Sequence, residues 1–348
     1  MTHLTQPPPL RVRSRSMESP RIGLVLGGGG IVGMAYHGAV LSAVHEATGW
    51  DPRDAELVVG TSAGAASGSE LRSGLSGSDL AARRSGQPFS AEGEARLRGL
   101  GPAPVVEPRR IEQDVERSRA AYRRLVMKAT MAPGSVRPGV LISTAMSPGT
   151  LSLEWLTELH RWLHGGAHPV DRLWTVAIDL DRGRRVVFGR PGDPAAEVGA
   201  AVAASCSIPG VSTPIPVGDQ LYIDGGGYSP TNADVLAGRG LDVVLVSSPM
   251  SLHPQATGKR PDRMVRQACR RLLMQEVAQL RATGTDVILF EPGARDLRAM
   301  GGLIGEAVLD ERRTVPVVRT VRASARAHAE RERLEERLNG RGRGLRAA

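Results

Sequence analysis

Lysine is almost missing from this chain: Lys128 and Lys259 are the only two among 45 basic residues, and the rest are Arg. Cysteine is as scarce. Cys206 and Cys269 cannot form a disulfide framework, and neither sits in a CxxC or Cys/His spacing that would hold a metal. Aromatic residues make up 3%, so Leu, Val, Ile and Ala must build the core. No apolar run approaches the roughly 18–20 residues that span a bilayer. The N-terminal text, PPPL followed by RVRSRSMESPR, has charge and proline but no apolar segment of a Sec signal peptide. The expectation is a soluble cytoplasmic protein without metal or cofactor, with peripheral membrane contact left open.

What is abundant is Arg. The net charge of +9 suggests a polyanionic partner until its position is counted. Residues 1–21 hold four Arg and one Glu, and residues 311–348 hold eleven Arg and five Glu, which together account for the whole excess. The body between them is balanced by count. That excludes a basic DNA-binding body, and no nucleic-acid partner is expected. The Arg-rich ends read either as solvated tails of an Arg-rich composition or as contacts to an anionic membrane surface.

Residues 1–20, rich in Pro, Ser and Arg, read as a disordered basic tail. A catalytic domain is expected over 21–310, and an Arg/Glu-rich C-terminal helix and tail over 311–348. The domain opens on Arg21–Leu26, a short apolar run typical of a buried parallel strand, followed by GGGG and a small-residue helix ending near Gly49. A second strand, Glu56–Val59, enters GTSAG and another small-residue helix. Strand–turn–helix repeated twice, with glycine at both turns, predicts a doubly wound α/β fold with a parallel sheet. From about Leu71 to Pro138 the text turns Arg-, Glu-, Gly- and Pro-rich, and reads as a helical insertion or cap. A strand at Gly139–Ser143 and a helix near Leu153–Leu163 follow. Then come the hairpin LWTVAIDL/DRG/RRVVFGR, a helix over Pro194–Ser205 and the strand QLYID. Strands at Asp242–Ser247 and Asp286–Glu291 flank a helix over Arg263–Ala282. A last helix is expected to start near Pro316, capped by Thr314, and to end before Gly340.

Gly60-Thr61-Ser62-Ala63-Gly64 matches GxSxG in the strand–turn–helix setting of a nucleophile elbow. The bland alternative is a small-residue turn kept for tight packing. Gly28, Gly30 and Gly33 match GxGxxG after the first strand. A dinucleotide site would need an acid at the end of the second strand, where Gly60, Thr61 and Ser62 stand instead; Asp51 and Asp54 precede that strand. The same glycines suit an oxyanion hole of converging backbone N–H groups. For activation, a serine needs a base within hydrogen-bond reach. Of eight histidines only His253 sits in a plausible strand-end loop, and His37 and His45 read as packing or surface residues. Asp224, which ends QLYID and precedes three glycines and a helix expected to start near Thr231, is the better candidate; alone it would read as a turn aspartate.

GGGGIVG, GTSAG and IDGG, in this order across 27–226, resemble the patatin-like phospholipase family, as does SCSIPG at 205–210. The resemblance covers most of 21–310. It implies a three-layer α/β/α sandwich with a mostly parallel central sheet, a helical insertion after the nucleophile helix, and a Ser–Asp dyad without catalytic histidine. Carried over by motif, Ser62 would be the nucleophile and Asp224 the general base. Gly28, Gly29 and Gly30 would form the oxyanion hole, with Gly33, Gly60, Gly64, Gly225 and Gly226 completing the motifs. Val32 departs from the family, many members having Arg or Lys there, which bears on local anion recognition rather than on backbone N–H groups. The expected reaction is hydrolysis of carboxylic ester bonds in phospholipids or acylglycerols. The alternatives are an α/β-hydrolase esterase using a histidine, especially His253, and a non-catalytic scaffold.

Overall fold

The structure is a computed structural model that describes residues 19–111, 115–132, 134–144, 149–165, 170, 172–256, 262–303 and 305–339. The expected tail over 1–20, apart from its last two residues, and the end of the chain from 340 lie outside the described residues.

The first half of the described chain runs β1 (Ile22–Leu26), α1 (Gly30–Thr48), β2 (Leu57–Thr61) and α2 (Ala63–Arg72). Helices α3 (Gly77–Ser85), α4 (Ala91–Gly99), α5 (Val115–Met131), α6 (Pro138–Thr144) and α7 (Glu154–Leu163) follow. Next come β3 (Leu173–Asp179), β4 (Arg184–Phe188), α8 (Val198–Ser205), β5 (Ile215–Val217) and β6 (Gln220–Asp224). The chain closes with β7 (Val243–Ser247), α9 (Arg263–Ala282), β8 (Asp286–Phe290), α10 (Ala294–Met300), α11 (Thr314–Arg331) and α12 (Leu334–Leu338).

The strands form one sheet in the order β5-β6-β3-β2-β1-β7-β8, with β4 paired to β3. The central strands are parallel, and β4, β5 and β6 add antiparallel pairs. β1, β3 and β7 are buried along their whole length, which is why they read as continuous apolar runs. Alternate side chains serve opposite layers. Leu24, Leu26, Val58 and Leu245 pack with α1, α2, α3, α7 and α11, whereas Val25, Val59, Val244 and Val246 pack with α9. On that second side, Ile178, Leu180, Leu221 and Ile223 of β3, β6 and the turn after β3 carry α5 and α6. The result is a three-layer α/β/α sandwich.

One detail of pairing positions the site. β3 pairs with β2 through Leu173–Val176, with β4 through Thr175–Asp179 and with β6 through Ala177–Asp179. Because β4 overlaps both of the others, β2 and β6 must share the opposite edge of β3. They run toward each other along it, Thr61 opposite Val176 and Asp224 opposite the next residue, Ala177. The ends of β2 and β6 therefore meet head to head.

Three expectations need correction. Gly139–Ser143 is not a strand but lies within helix α6: Val140 and Thr144, four residues apart, are buried on its inner face while Ile142 is exposed. No long helix starts at Thr231. Asn232 is left-handed (φ 51°), and Glu276 of α9 accepts from the Thr231 hydroxyl and the Ala233 N–H, so only the 3-10 turn Ala233–Leu236 forms. The last helix begins at Thr314, whose hydroxyl donates to the Glu311 carbonyl rather than capping, and Pro316 lies in the first turn, where no N–H is needed. It breaks after Arg331, with Arg333 at φ 50°, before α12. Within the stretch expected as a helical insertion, Leu80 of α3 and Leu97 of α4 join the core around α1, while α5 packs with α6 on the other side.

Candidate active site

Strands β1 and β2 are hydrogen-bonded neighbours, so the loop after one faces the turn after the other. A Cβ placed on Gly28 would stand 3.5 Å from the Ser62 Cβ. Ser62 itself occupies φ 54°, ψ −120°, a conformation that non-glycine residues rarely hold and that must be imposed by its surroundings. Gly60 and Gly64 allow this turn: a Cβ on Gly64 would lie 1.8 Å from the Leu26 carbonyl oxygen, and one on Gly60 2.5 Å from the Ala65 backbone. Gly33 gives room for Ala63, whose Cβ a side chain there would meet at 3.3 Å.

Asp224 arrives from the opposite direction at the end of β6. Its N–H donates to the Ser207 carbonyl at 2.9 Å, and its Oδ1 accepts from the Gly226 N–H at 2.7 Å. Gly225 passes so close to β3 that a Cβ would lie 2.4 Å from the Val176 carbonyl oxygen. Burial pushes the Asp224 carboxyl up to about 6, against the Gly226 N–H and the Ser62 hydroxyl, whose hydrogen bonds favour the charged form. Ser62 and Asp224 thus meet, and among the described residues no histidine hydrogen-bonds the Ser62 hydroxyl.

The glycine loop divides its donors. The Gly27 N–H bonds the Ser247 carbonyl at 3.0 Å, and the Gly28 N–H bonds the Pro230 carbonyl at 2.8 Å. Among the described residues the N–H groups of Gly29 and Gly30 have no acceptor. They stand at the N-terminus of α1, where the helix dipole favours negative charge. Gly30 is left-handed (φ 62°), and a Cβ there would come 2.5 Å from the Val308 carbonyl oxygen, in the 3-10 turn Gly305–Leu309 lying against the loop. Val32 is buried in the core, so at this position the chain offers no cation to an anion.

Three residues hold this geometry: sequence reasoning missed Ser205 and Asn232, and read His37 as a packing or surface residue. The Ser205 hydroxyl, at the end of α8, donates to the Val176 carbonyl at 2.6 Å and accepts from the Ser62 N–H at 2.8 Å. It pins the elbow to β3 where β2 ends. The Asn232 amide donates to Thr61 Oγ1 at 3.1 Å and to the Ser229 carbonyl at 2.5 Å, tying the turn before Ser62 to the turn after Asp224. His37 Nε2 donates to the Gly27 carbonyl at 2.7 Å, because that oxygen can only accept. Its Nδ1 then accepts from the Ser247 hydroxyl at 2.8 Å, and burial lowers this imidazole to about 4, so it stays neutral and structural. Only SCSIPG hinted at Ser205; nothing local marked Asn232. His253 lies elsewhere, in a cavity of about 260 Å³ at the end of β8 with Tyr36, Glu291, Asp296 and His328.

The patatin-like phospholipase family model matches residues 24–237. The chain belongs to this family. The matched span opens in β1, includes both glycine turns and ends just beyond the turn after Asp224. Patatin-like phospholipases act on lipids. A comparison with curated protein sequences gives no match. Among solved structures, the type III effector ExoU aligns at 15% identity and TM-score 0.33, covering 89% of this chain and 53% of that one. VipD from Legionella pneumophila aligns at 14% and 0.34, covering 88% and 67%. Human GIVD cytosolic phospholipase A2, in complex with a fluorophosphonate inhibitor, aligns at 14% and 0.37, covering 92% and 59%. This chain therefore spans little more than half the length of ExoU. Among the described residues no helix is long and apolar enough to cross a membrane.

Proposed function

We propose that this patatin-like chain is a serine acyl hydrolase that cleaves carboxylic ester bonds of phospholipids or acylglycerols, with Ser62 as nucleophile and Asp224 as general base. The observation that carries the reading is the strained Ser62 elbow standing against the buried Asp224 carboxyl, whose charged form the Ser62 hydroxyl favours. Asp224 takes the hydroxyl proton as Ser62 Oγ bonds to the ester carbonyl carbon. The carbonyl oxygen gains the electron pair and is held by the Gly29 and Gly30 N–H groups, since the Gly28 N–H is engaged with Pro230. The tetrahedral intermediate collapses, the leaving alcohol takes the proton from Asp224, and an acyl-serine remains. Water, deprotonated by Asp224, then attacks the acyl carbon and releases the fatty acid, and the proton returns to Ser62. A carboxylate raised to about 6 is largely charged at pH 7 yet basic enough to share the proton.

Release of p-nitrophenol from medium-chain esters tests this. Ser62→Ala and Asp224→Ala are each expected to abolish turnover, and near wild-type turnover by Ser62→Ala would remove the assignment. Incubation with a mixed lipid extract would then name the species that lose acyl chains.

A further inference from the structure

We propose that the outer face of α5 and α6 is the surface on which this protein docks against an anionic phospholipid membrane. The inner faces of the two helices are fully used: Ala121, Tyr122, Leu125 and Val140 pack on β3 and β6. Among the described residues, the outer side carries exposed apolar side chains. Met127 is 62% exposed, Met131 80% and Ile142 72%. On α5 the two methionines are one turn apart, opposite Leu125. Single exposed apolar residues are ordinary, but three on one outer layer require an apolar partner or a cost in water.

Charge selects the partner. Helix α5 holds Arg117, Arg119, Arg123, Arg124 and Lys128 against a single acid, Glu116, which Arg119 already pairs at 2.7 Å. Arg124 pairs with Asp181 below the helix, whereas Arg123 beside Met127 has no ion-pair partner among the described residues. Arg117 and Lys128 donate to the Asp219 and Arg182 carbonyls at 3.1 and 2.9 Å, so the balanced count over 22–310 hides a local cationic excess on α5. A second copy of this face would meet its own charge, and the chain's Arg-rich ends would be repelled by it as well. Naked phosphate would leave the methionines and Ile142 without apolar contact. An anionic lipid interface satisfies both, with acyl chains around the apolar side chains and headgroup phosphates near the guanidinium groups. The placement suits the reading of the site, on which the purpose of this surface rests. A Cβ on Gly139 of α6 would lie 2.5 Å from the Gly227 carbonyl oxygen, so α6 sits directly on the turn after Asp224.

The test is cosedimentation of the full chain with phosphatidylcholine vesicles, with and without phosphatidylglycerol. Wild type is expected to prefer the anionic vesicles. The double variant Met127→Asp/Ile142→Asp is expected to bind them at least ~10-fold more weakly, and Arg123→Glu to weaken binding further. Both should keep wild-type turnover of soluble p-nitrophenyl butyrate, which controls for folding. Undiminished vesicle binding by the double variant would overturn the proposal. So would loss of binding on deleting residues 1–20 alone, or a wild-type dimer that the double variant dissolves. Vesicle binding through this face by a protein inactive on the soluble ester would support the surface and refute the hydrolase reading.

Discussion

At the scale of single residues, the proposed chemistry depends on how a serine and a carboxylate from distant parts of the chain are held still. As the proposed base, Asp224 must be ionised to accept a proton, and burial raises it to about 6. The kcat/KM profile is therefore expected to rise with pH through an apparent pKa near 6 and to fall about tenfold per unit below it. A profile flat down to pH 4 would contradict the assignment. Ser205 is expected to act by position. Its replacement by Ala leaves the Ser62 N–H and the Val176 carbonyl unsatisfied in a buried place, a cost of about 1–3 kcal/mol. The expected outcome is a kcat lowered ~10-fold with KM little changed. A lower melting temperature with unchanged kcat would make Ser205 ordinary packing. Ser62 and Asp224 were legible because glycines mark both turns. Ser205 and Asn232 were not, since their roles are hydrogen bonds across 143 and 171 residues of chain.

At the scale of elements, the site is an accident of no single strand: it exists where β2 and β6 end on the same edge of β3. That meeting needs α2 to start tight against β1. Gly64→Ala would place a methyl group 1.8 Å from the Leu26 carbonyl oxygen, a backbone atom that cannot turn away. It is expected to destabilise the fold by about 3 kcal/mol or more, seen as a lower denaturant midpoint, whereas an unchanged midpoint would mean the elbow is looser than described. Elements with one period and clear ends, such as β1, the β3–β4 hairpin and α9, were readable in the residues. The run GVLIS at 139–143 was not: five apolar or small residues suit a strand by composition, and only packing against α5 and the turn after β6 makes them a helix. The break between α11 and α12 was equally hidden, because Arg333 in a left-handed conformation carries no glycine signal.

At the scale of the whole molecule, the charge has a different distribution from the one a count along the chain suggests. Much of the Arg-rich C-terminal segment belongs to the folded body: α11 and α12 bury Val317, Val321, Leu334 and Leu338, while Arg322 pairs with Glu46 and Arg337 with Asp286. Desolvated imidazoles make stability depend on pH in the acid range. Burial lowers His37 and His164 to about 4, well under the usual 6.5. The unfolded chain therefore binds more protons below pH 6.5, and each group withdraws stability as pH falls from 6.5 toward 4. Raised Asp224 works in the opposite sense between about 6 and 3.8, so a variant isolates the histidine contribution. His164→Gln should lose about 2 kcal/mol less than wild type between pH 7 and 5, read from chemical denaturation at both pH values; parallel losses would contradict a neutral, half-buried His164. The most direct test of the central claim is labelling of the intact protein with an alkyl fluorophosphonate, followed by peptide mass spectrometry. One adduct, on Ser62, lost in Ser62→Ala and slowed in Asp224→Asn, is the expected result. An unlabelled wild type, or an adduct on another serine, would contradict it.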